Sequence, residues 1–145
     1  MLVNQILSMK ATAEIITIRP DATVAEAAKL LSDRRIGAVV VSEDGTTAHG
    51  ILSERDIVRA LGRNGPAALD GSIGDLMTRK LETCVISENA LTVLERMTEG
   101  RFRHMPVVDG EGRMIGFISI GDAVSARLKE LHAEKEALTG MIMGV

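Results

Sequence analysis

Two serine–aspartate pairs, Ser53-x-x-Asp56 and Ser119-x-x-Asp122, carry the clearest chemistry in the chain. A serine three residues ahead of an acidic residue is a helix-start pattern, in which hydroxyl and carboxylate satisfy each other's backbone N–H groups. The carboxylate also suits the positive end of the helix. Capping alone explains the spacing. A carboxylate has two oxygens, however, so one can cap while the other accepts from adjacent hydroxyls, the arrangement a ribose 2′,3′-diol offers. The same helix N-terminus can face a phosphate. The expectation is that Asp56 and Asp122 both cap and bind, with Ser53 and Ser119 setting the helix starts.

A second group is Arg101-Phe102-Arg103-His104, directly ahead of the apolar run Met105-Pro106-Val107-Val108. Side chains there stand at the mouth of a buried strand. Guanidinium forks match phosphate oxygens, and histidine donates when its tautomer allows. The plainer alternative is a solvated basic turn.

These residues lie on a duplicated framework. Gly50-Ile51-Leu52-Ser53-Glu54-Arg55-Asp56 is written again as Gly116-Phe117-Ile118-Ser119-Ile120-Gly121-Asp122, 66 positions later. Aligning Pro20–Val24 with Ser87–Leu91 gives an offset of 67, which places a one-residue loss in the turn between Gly112 and Gly116. Val3–Ser8 likewise matches Ile73–Thr78. Such a repeat is the first thing to settle before any fold reading. On this alignment Ile36-Gly37 stands where Arg103-His104 stands, with Arg34 and Arg35 opposite Arg101 and Phe102. The two copies are therefore expected to be unequal, the second better supplied with hydrogen-bond donors at this position.

Within each repeat the pattern reads helix, β, α, β, β, α. The first copy has a helix over 3–9, a β-branched strand over 15–18 and a helix capped by Thr23 with Glu26 three residues on. Val24, Ala27, Ala28 and Leu31 give that helix its apolar stripe. A strand over 36–41, a return strand over 49–52 and a helix from Ser53 complete it. The second copy has helix 73–77, strand 83–86, helix 91–99, strands 105–108 and 114–118, and a helix from Ser119. This last helix outruns its counterpart, with Val124, Leu128, Leu131 and Leu138 along one side, which predicts a partner surface. The boundaries are 1–66 for the first repeat, 67–72 for a linker, 73–128 for the second repeat and 129–145 for a helical extension. Each half is about 60–70 residues, a size at which a core is marginal, so one shared core is expected.

The duplicated set resembles a pair of cystathionine-β-synthase (CBS) domains, a Bateman module. The features that carry the resemblance are the Pro20-Asp21-Ala22-Thr23-Val24 helix start, the valine-rich strand after an arginine, Arg103–Asp109 and the two Gly-x-x-Ser-x-x-Asp runs. The resemblance spans residues 3–128. It implies an α+β fold of two β-α-β-β-α repeats about a pseudo-twofold axis, with two clefts between them. It also implies a flat homodimer and clefts that hold adenine nucleotides, AMP first and then ADP, ATP or NAD(H). In such a module Arg101, Arg103 and His104 face phosphate, with Arg35 near the first-repeat counterpart. Thr17, Ile18, Ala38, Val85 and Met105 are family-matching candidates for the base slot. The implied function is a regulatory, energy- or redox-sensing one, passing ligand state to a protein target. The rival readings are a ligand-independent dimeric scaffold and a weak nucleotide hydrolase.

Bulk composition sets limits on other classes. A net charge of −3 and two aromatic residues in 145 argue against nucleic-acid binding, which needs a basic face and stacking platforms. Neither a phosphate loop nor a nucleophile elbow is present. His49, His104 and His132 have no metal-ligand spacing. The single cysteine, Cys84, reads as a small buried apolar residue. No signal sequence or spanning run is visible, so the expectation is a cytoplasmic, non-enzymatic protein away from membranes.

Overall fold

The computed structural model describes residues 1–10 and 14–144; Val145, at the end of the expected extension, lies outside them. The first repeat is β1 (Thr17–Ile18), α2 (Val24–Arg34), β2 (Ala38–Val41), β3 (Gly50–Ser53) and α3 (Glu54–Asn64), preceded by α1 (Val3–Met9). β1 pairs parallel with β2, and β2 pairs antiparallel with β3. Residues Gly65–Asp70, which run from the end of the expected first repeat into the expected linker over 67–72, form a 3₁₀ turn. The second repeat follows with α4 (Ile73–Leu76), α5 (Ala90–Gly100), β4 (His104–Val108), β5 (Met114–Ser119) and α6 (Ile120–Ile142).

The expected strand over 83–86 contracts to a single parallel bridge, Cys84 with Val107. Its neighbours spend their backbone elsewhere. The Val85 N–H donates to Glu88 Oε2 at 2.9 Å, and the Ile86 carbonyl accepts from the Asn4 N–H at 3.1 Å.

Short-range chemistry sets the helix starts. Thr23 and Glu26 form the expected capping box. Ser53 with Asp56, and Ser119 with Asp122, do the same for α3 and α6. Asn89 caps α5 through its side-chain oxygen, 2.8 Å from the Thr92 N–H.

The structure corrects the alignment. Thr23 and Asn89 are equivalent caps, Val24, Ala27 and Leu31 are buried as Ala90, Val93 and Met97 are, and Ile18 bonds Ser42 as Cys84 bonds Val108. The offset is 66 throughout these elements. The displaced turn glycine is compensated by a register shift between Val107 and Val108. Arg35 is therefore the equivalent of Arg101, Gly37 of Arg103 and Ala38 of His104.

Two apolar clusters, not one shared core, fill the molecule, and each takes its leading helix from the other half. Val3 and Ile6 of α1 are buried with Val93, Met97, Met105 and Ile118 of the second repeat. Ile73 and Met77, at α4, are buried with Val24, Leu31, Val41 and Leu52 of the first. The exchange is symmetric down to the backbone. Leu2 bridges Asn89 and Ser72 bridges Thr23. Gly50 and Gly116, which open the duplicated stretch, lie directly against side chains of these exchanged segments. A Cβ at Gly50 would stand 2.6 Å from Met77 Sδ, and one at Gly116 would stand 2.6 Å from Leu7 Cδ2.

Candidate functional site

The exchange of leading helices interleaves the repeats, so each aspartate faces strand entrances belonging to the other half. A first cleft of about 380 Å³ holds Ser119 and Asp122 from the start of α6. Its opposite wall is Ile15 and Ile16, ahead of β1, and Arg35 to Ala38, leading into β2; Lys10 and Phe117 complete it. A second cleft of about 600 Å³ holds Ser53 and Asp56. Leu81 and Glu82, Arg101 to His104, and the cations Arg55, Arg59 and Lys80 surround them. Both volumes lie in the range of small-molecule sites, about 300–1,000 Å³.

In both clefts the aspartate caps through one oxygen. Asp56 Oδ2 accepts from the Ser53 N–H at 2.9 Å and its hydroxyl at 3.1 Å, leaving Oδ1 with Arg59 no nearer than 3.9 Å. Asp122 Oδ2 accepts from the Ser119 N–H at 2.8 Å and also from Lys10 Nζ at 2.9 Å. The same ammonium donates to the Phe117 carbonyl at 2.6 Å. The second carboxylate oxygen of each is thus the one positioned to take a hydroxyl.

Arg35 and Arg101 end α2 and α5 in the left-handed conformation, at φ 53° and φ 56°. A non-glycine residue there is uncommon and costs about 1–3 kcal/mol. It turns the chain sharply from helix into strand, with the Arg35 N–H bonded to the Leu31 and Ser32 carbonyls and the Arg101 N–H to Met97. Each arginine then lines a cleft, Arg35 the first and Arg101 the second.

His104 opens β4 opposite Ser119 in the ladder and lines both clefts. Its ring stacks on Phe117, centroids 5.6 Å apart at 14°. Burial, and then the Arg103 charge, hold its pKa below the usual histidine value, against the opposing pull of Asp122 and Glu54. It shares the first cleft with Asp122 and sits at the border of the second with Asp56.

Of the residues read from sequence, Ser53, Asp56, Arg101, Arg103 and His104 meet in the second cleft. Ser119, Asp122, Arg35, Ala38 and His104 meet in the first. Four candidates line neither. Thr17 and Ile18 are engaged in the ladder with Val40 and Val41, Met105 is fully buried in the second core, and Val85 is 41% exposed on the surface. Ile15 and Ile16, just upstream, line the first cleft instead. Lys10, Lys80 and Leu81 were not anticipated. Extending the Val3–Ser8 and Ile73–Thr78 match by two residues sets Lys10 against Lys80 and would have found both lysines.

The CBS domain family model matches residues 3–63 and 73–129. A CBS domain-containing mitochondrial protein of Arabidopsis thaliana, CBSX3, is 37% identical over 128 residues, which are 86% of this chain and 62% of that protein. The chain thus spans less than two thirds of that relative's length. A crystal structure of a CBS-domain containing protein of Agrobacterium tumefaciens is 40% identical, with a TM-score of 0.82 over 88% of this chain and 99% of the other. The CBS domain pair of protein MJ0100, in complex with 5′-methylthioadenosine and S-adenosyl-L-methionine, is 27% identical at a TM-score of 0.75, covering 93% and 98%. A CBS domain protein of Pyrobaculum aerophilum complexed with AMP is 25% identical at 0.73, covering 84% and 89%.

Proposed function

From the premise that the chain belongs to the CBS domain family, as a pair of repeats, we propose that it is a regulatory module that binds an adenine nucleotide between its two halves. Its ligand state is then read by a protein partner. The observation that carries this reading is the second cleft. It brings Asp56, a capping aspartate whose Oδ1 has only the Arg59 guanidinium, at 3.9 Å, together with Arg101 and Arg103 in one space of about 600 Å³. Asp56 would grip the ribose diol and the arginines the phosphate. The ligands of the two structural neighbours above, AMP, 5′-methylthioadenosine and S-adenosyl-L-methionine, have the adenosine unit in common.

Regulation follows from where the clefts lie. A ligand there touches both repeats, so it favours the relative arrangement in which both sets of contacts are made. It shifts that equilibrium only by its difference in affinity between arrangements. The exposed side chains of Val124, Leu128, Leu131 and Leu138 along α6 support a surface through which a second copy or a target reads the change. The reading includes a homodimer, AMP, ADP, ATP or NAD(H) as ligand, a cytoplasmic location and no catalysis. Among the described residues no helix is long and apolar enough to cross a membrane.

Isothermal titration of ligand-stripped protein with AMP, ATP and NADH tests this reading, on wild type and on Asp56→Asn. Saturable binding weakened at least tenfold by Asp56→Asn is expected, with the nucleotide recovered intact after incubation. Absence of heat with all three, in protein that still dimerises, would leave the scaffold reading standing. Consumption of nucleotide would point to an enzyme.

A further inference from the structure

The two clefts are near-copies in backbone and unlike in charge. Of the described residues around the second, Arg55, Lys80, Arg101 and Arg103 have no carboxylate within ion-pair distance, while Glu82 is held 2.8 Å from Arg96. Against these four cations stands one carboxylate of the lining without an ion pair, Glu54, so the cleft presents a net excess of positive charge. Around the first, Lys10 is bound to Asp122 at 2.9 Å, and Glu14 is paired with Arg34 at 3.2 Å. Arg35 is the one described cation there without an ion-pair partner. The equivalences behind this are specific. Gly37 stands where Arg103 stands and Ala38 where His104 stands, so the first repeat brings no second guanidinium and no imidazole of its own to the strand mouth, and the imidazole that reaches the first cleft is the shared His104.

A nucleotide's terminal phosphate carries about −1.5 to −2 charges near neutral pH. Moving it from water into a half-enclosed cleft is unfavourable unless paired donors replace its hydration. The second cleft offers two guanidinium groups at the strand mouth for this. The first offers a ribose-binding carboxylate, the apolar side chains of Ile15, Ile16 and Phe117, and balanced charge.

We infer that the clefts have different ligand classes: the second takes a 5′-phosphorylated adenosine, and the first takes an adenosine whose 5′ substituent is uncharged. This rests on the adenine-ligand reading above and assigns a ligand class to each of its two sites.

The test uses AMP and 5′-methylthioadenosine as separate probes on stripped, full-length protein. In wild type each probe titrates to about one equivalent per chain. Asp56→Asn weakens AMP at least tenfold and leaves 5′-methylthioadenosine within twofold, whereas Asp122→Asn does the reverse. A third variant tests gain rather than loss. A Cβ at Gly37 meets nothing closer than Glu54 Oε1 at 3.7 Å, so Gly37→Arg has room for its first side-chain carbon, and Gly37→Lys serves as a second cationic variant. Placed in the Asp56→Asn background, either restores AMP binding through the first cleft. Two equivalents of AMP per wild-type chain, or a single aspartate variant abolishing both probes, would overturn the division while leaving an adenine-ligand module intact. No binding of either probe would remove the underlying reading as well.

Discussion

Lys10 Nζ and Asp122 Oδ2 lie 2.9 Å apart although 112 residues separate them in the chain. The pair joins the segment after α1 to the start of α6, and the Phe117 carbonyl accepts a second hydrogen bond from the same ammonium. Both side chains are about a quarter exposed, so solvent screens the attraction only in part. Lys10→Ala is expected to lower unfolding free energy by about 1–2 kcal/mol, the scale of one partly buried ion pair with an added hydrogen bond. Lys80→Ala, at the equivalent place without a carboxylate partner, should stay within about 0.5 kcal/mol. Urea denaturation of the two variants side by side decides this, and equal losses would count against it.

His104 gives the fold a pH dependence of definite sign. Burial holds its pKa below the unfolded value of 6.5, so below that value the unfolded chain binds more protons than the folded one. Its contribution is complete above pH 6.5 and is lost as pH falls from there through the folded pKa. Thermal unfolding at pH 7.5 and pH 5.5 should show a larger drop for wild type than for His104→Gln. Identical drops would place the acid sensitivity elsewhere.

Cys84 is 1% exposed, and burial together with Glu88 pushes its thiol up to about 12. The thiolate is the reactive form. The native protein at pH 8 should therefore leave an aromatic disulfide reagent unreduced for hours, with one equivalent of thiol appearing on unfolding in urea. Fast stoichiometric labelling of the native state would contradict this burial.

Gly116→Ala brings a methyl group to 2.6 Å from Leu7 Cδ2 and 2.8 Å from Cδ1. Overpacking of this kind costs about 1–3 kcal/mol. Since the obstacle is one side chain, Leu7→Ala should relieve part of the cost. The double variant is expected to be less destabilised than the sum of the two single ones. Strict additivity would mean that Leu7 is not what meets the new methyl.

Local signals in the sequence predicted local features well. Ser53-x-x-Asp56 and Ser119-x-x-Asp122 became capping boxes because a cap depends on three residues and little else. The stripe Val24, Ala27, Leu31 became a buried face for the same reason of short range. What escaped depends on distant partners. Val3 and Ile6 have the spacing of a helix face, but nothing in that spacing says the face belongs to the second core. The apolar run at Cys84 to Ile86 reads as a strand until Glu88 and Asn4 claim its backbone. Matching Pro20 to Ser87 favoured residue likeness over cap position, which shifted Arg35 and Gly37 by one and hid their equivalence to Arg101 and Arg103. Of the base-slot candidates, Thr17 and Ile18 fall inside the ladder with Val40 and Val41, while the cleft is lined by Ile15 and Ile16 just ahead of it, and where a strand begins to pair depends on its partner rather than on its own residues.

The exchanged helices have one more consequence. A cut within Gly65–Asp70 would yield two fragments, neither carrying its own complete core: the first would lack Ile73 and Met77, and the second Val3 and Ile6. The fragments would be clasped rather than merely adjacent, each holding a piece that the other needs in order to fold. The protein is one duplicated in sequence but indivisible as an object, and a change in how its halves sit must be a flexing of the pair, never a parting of it.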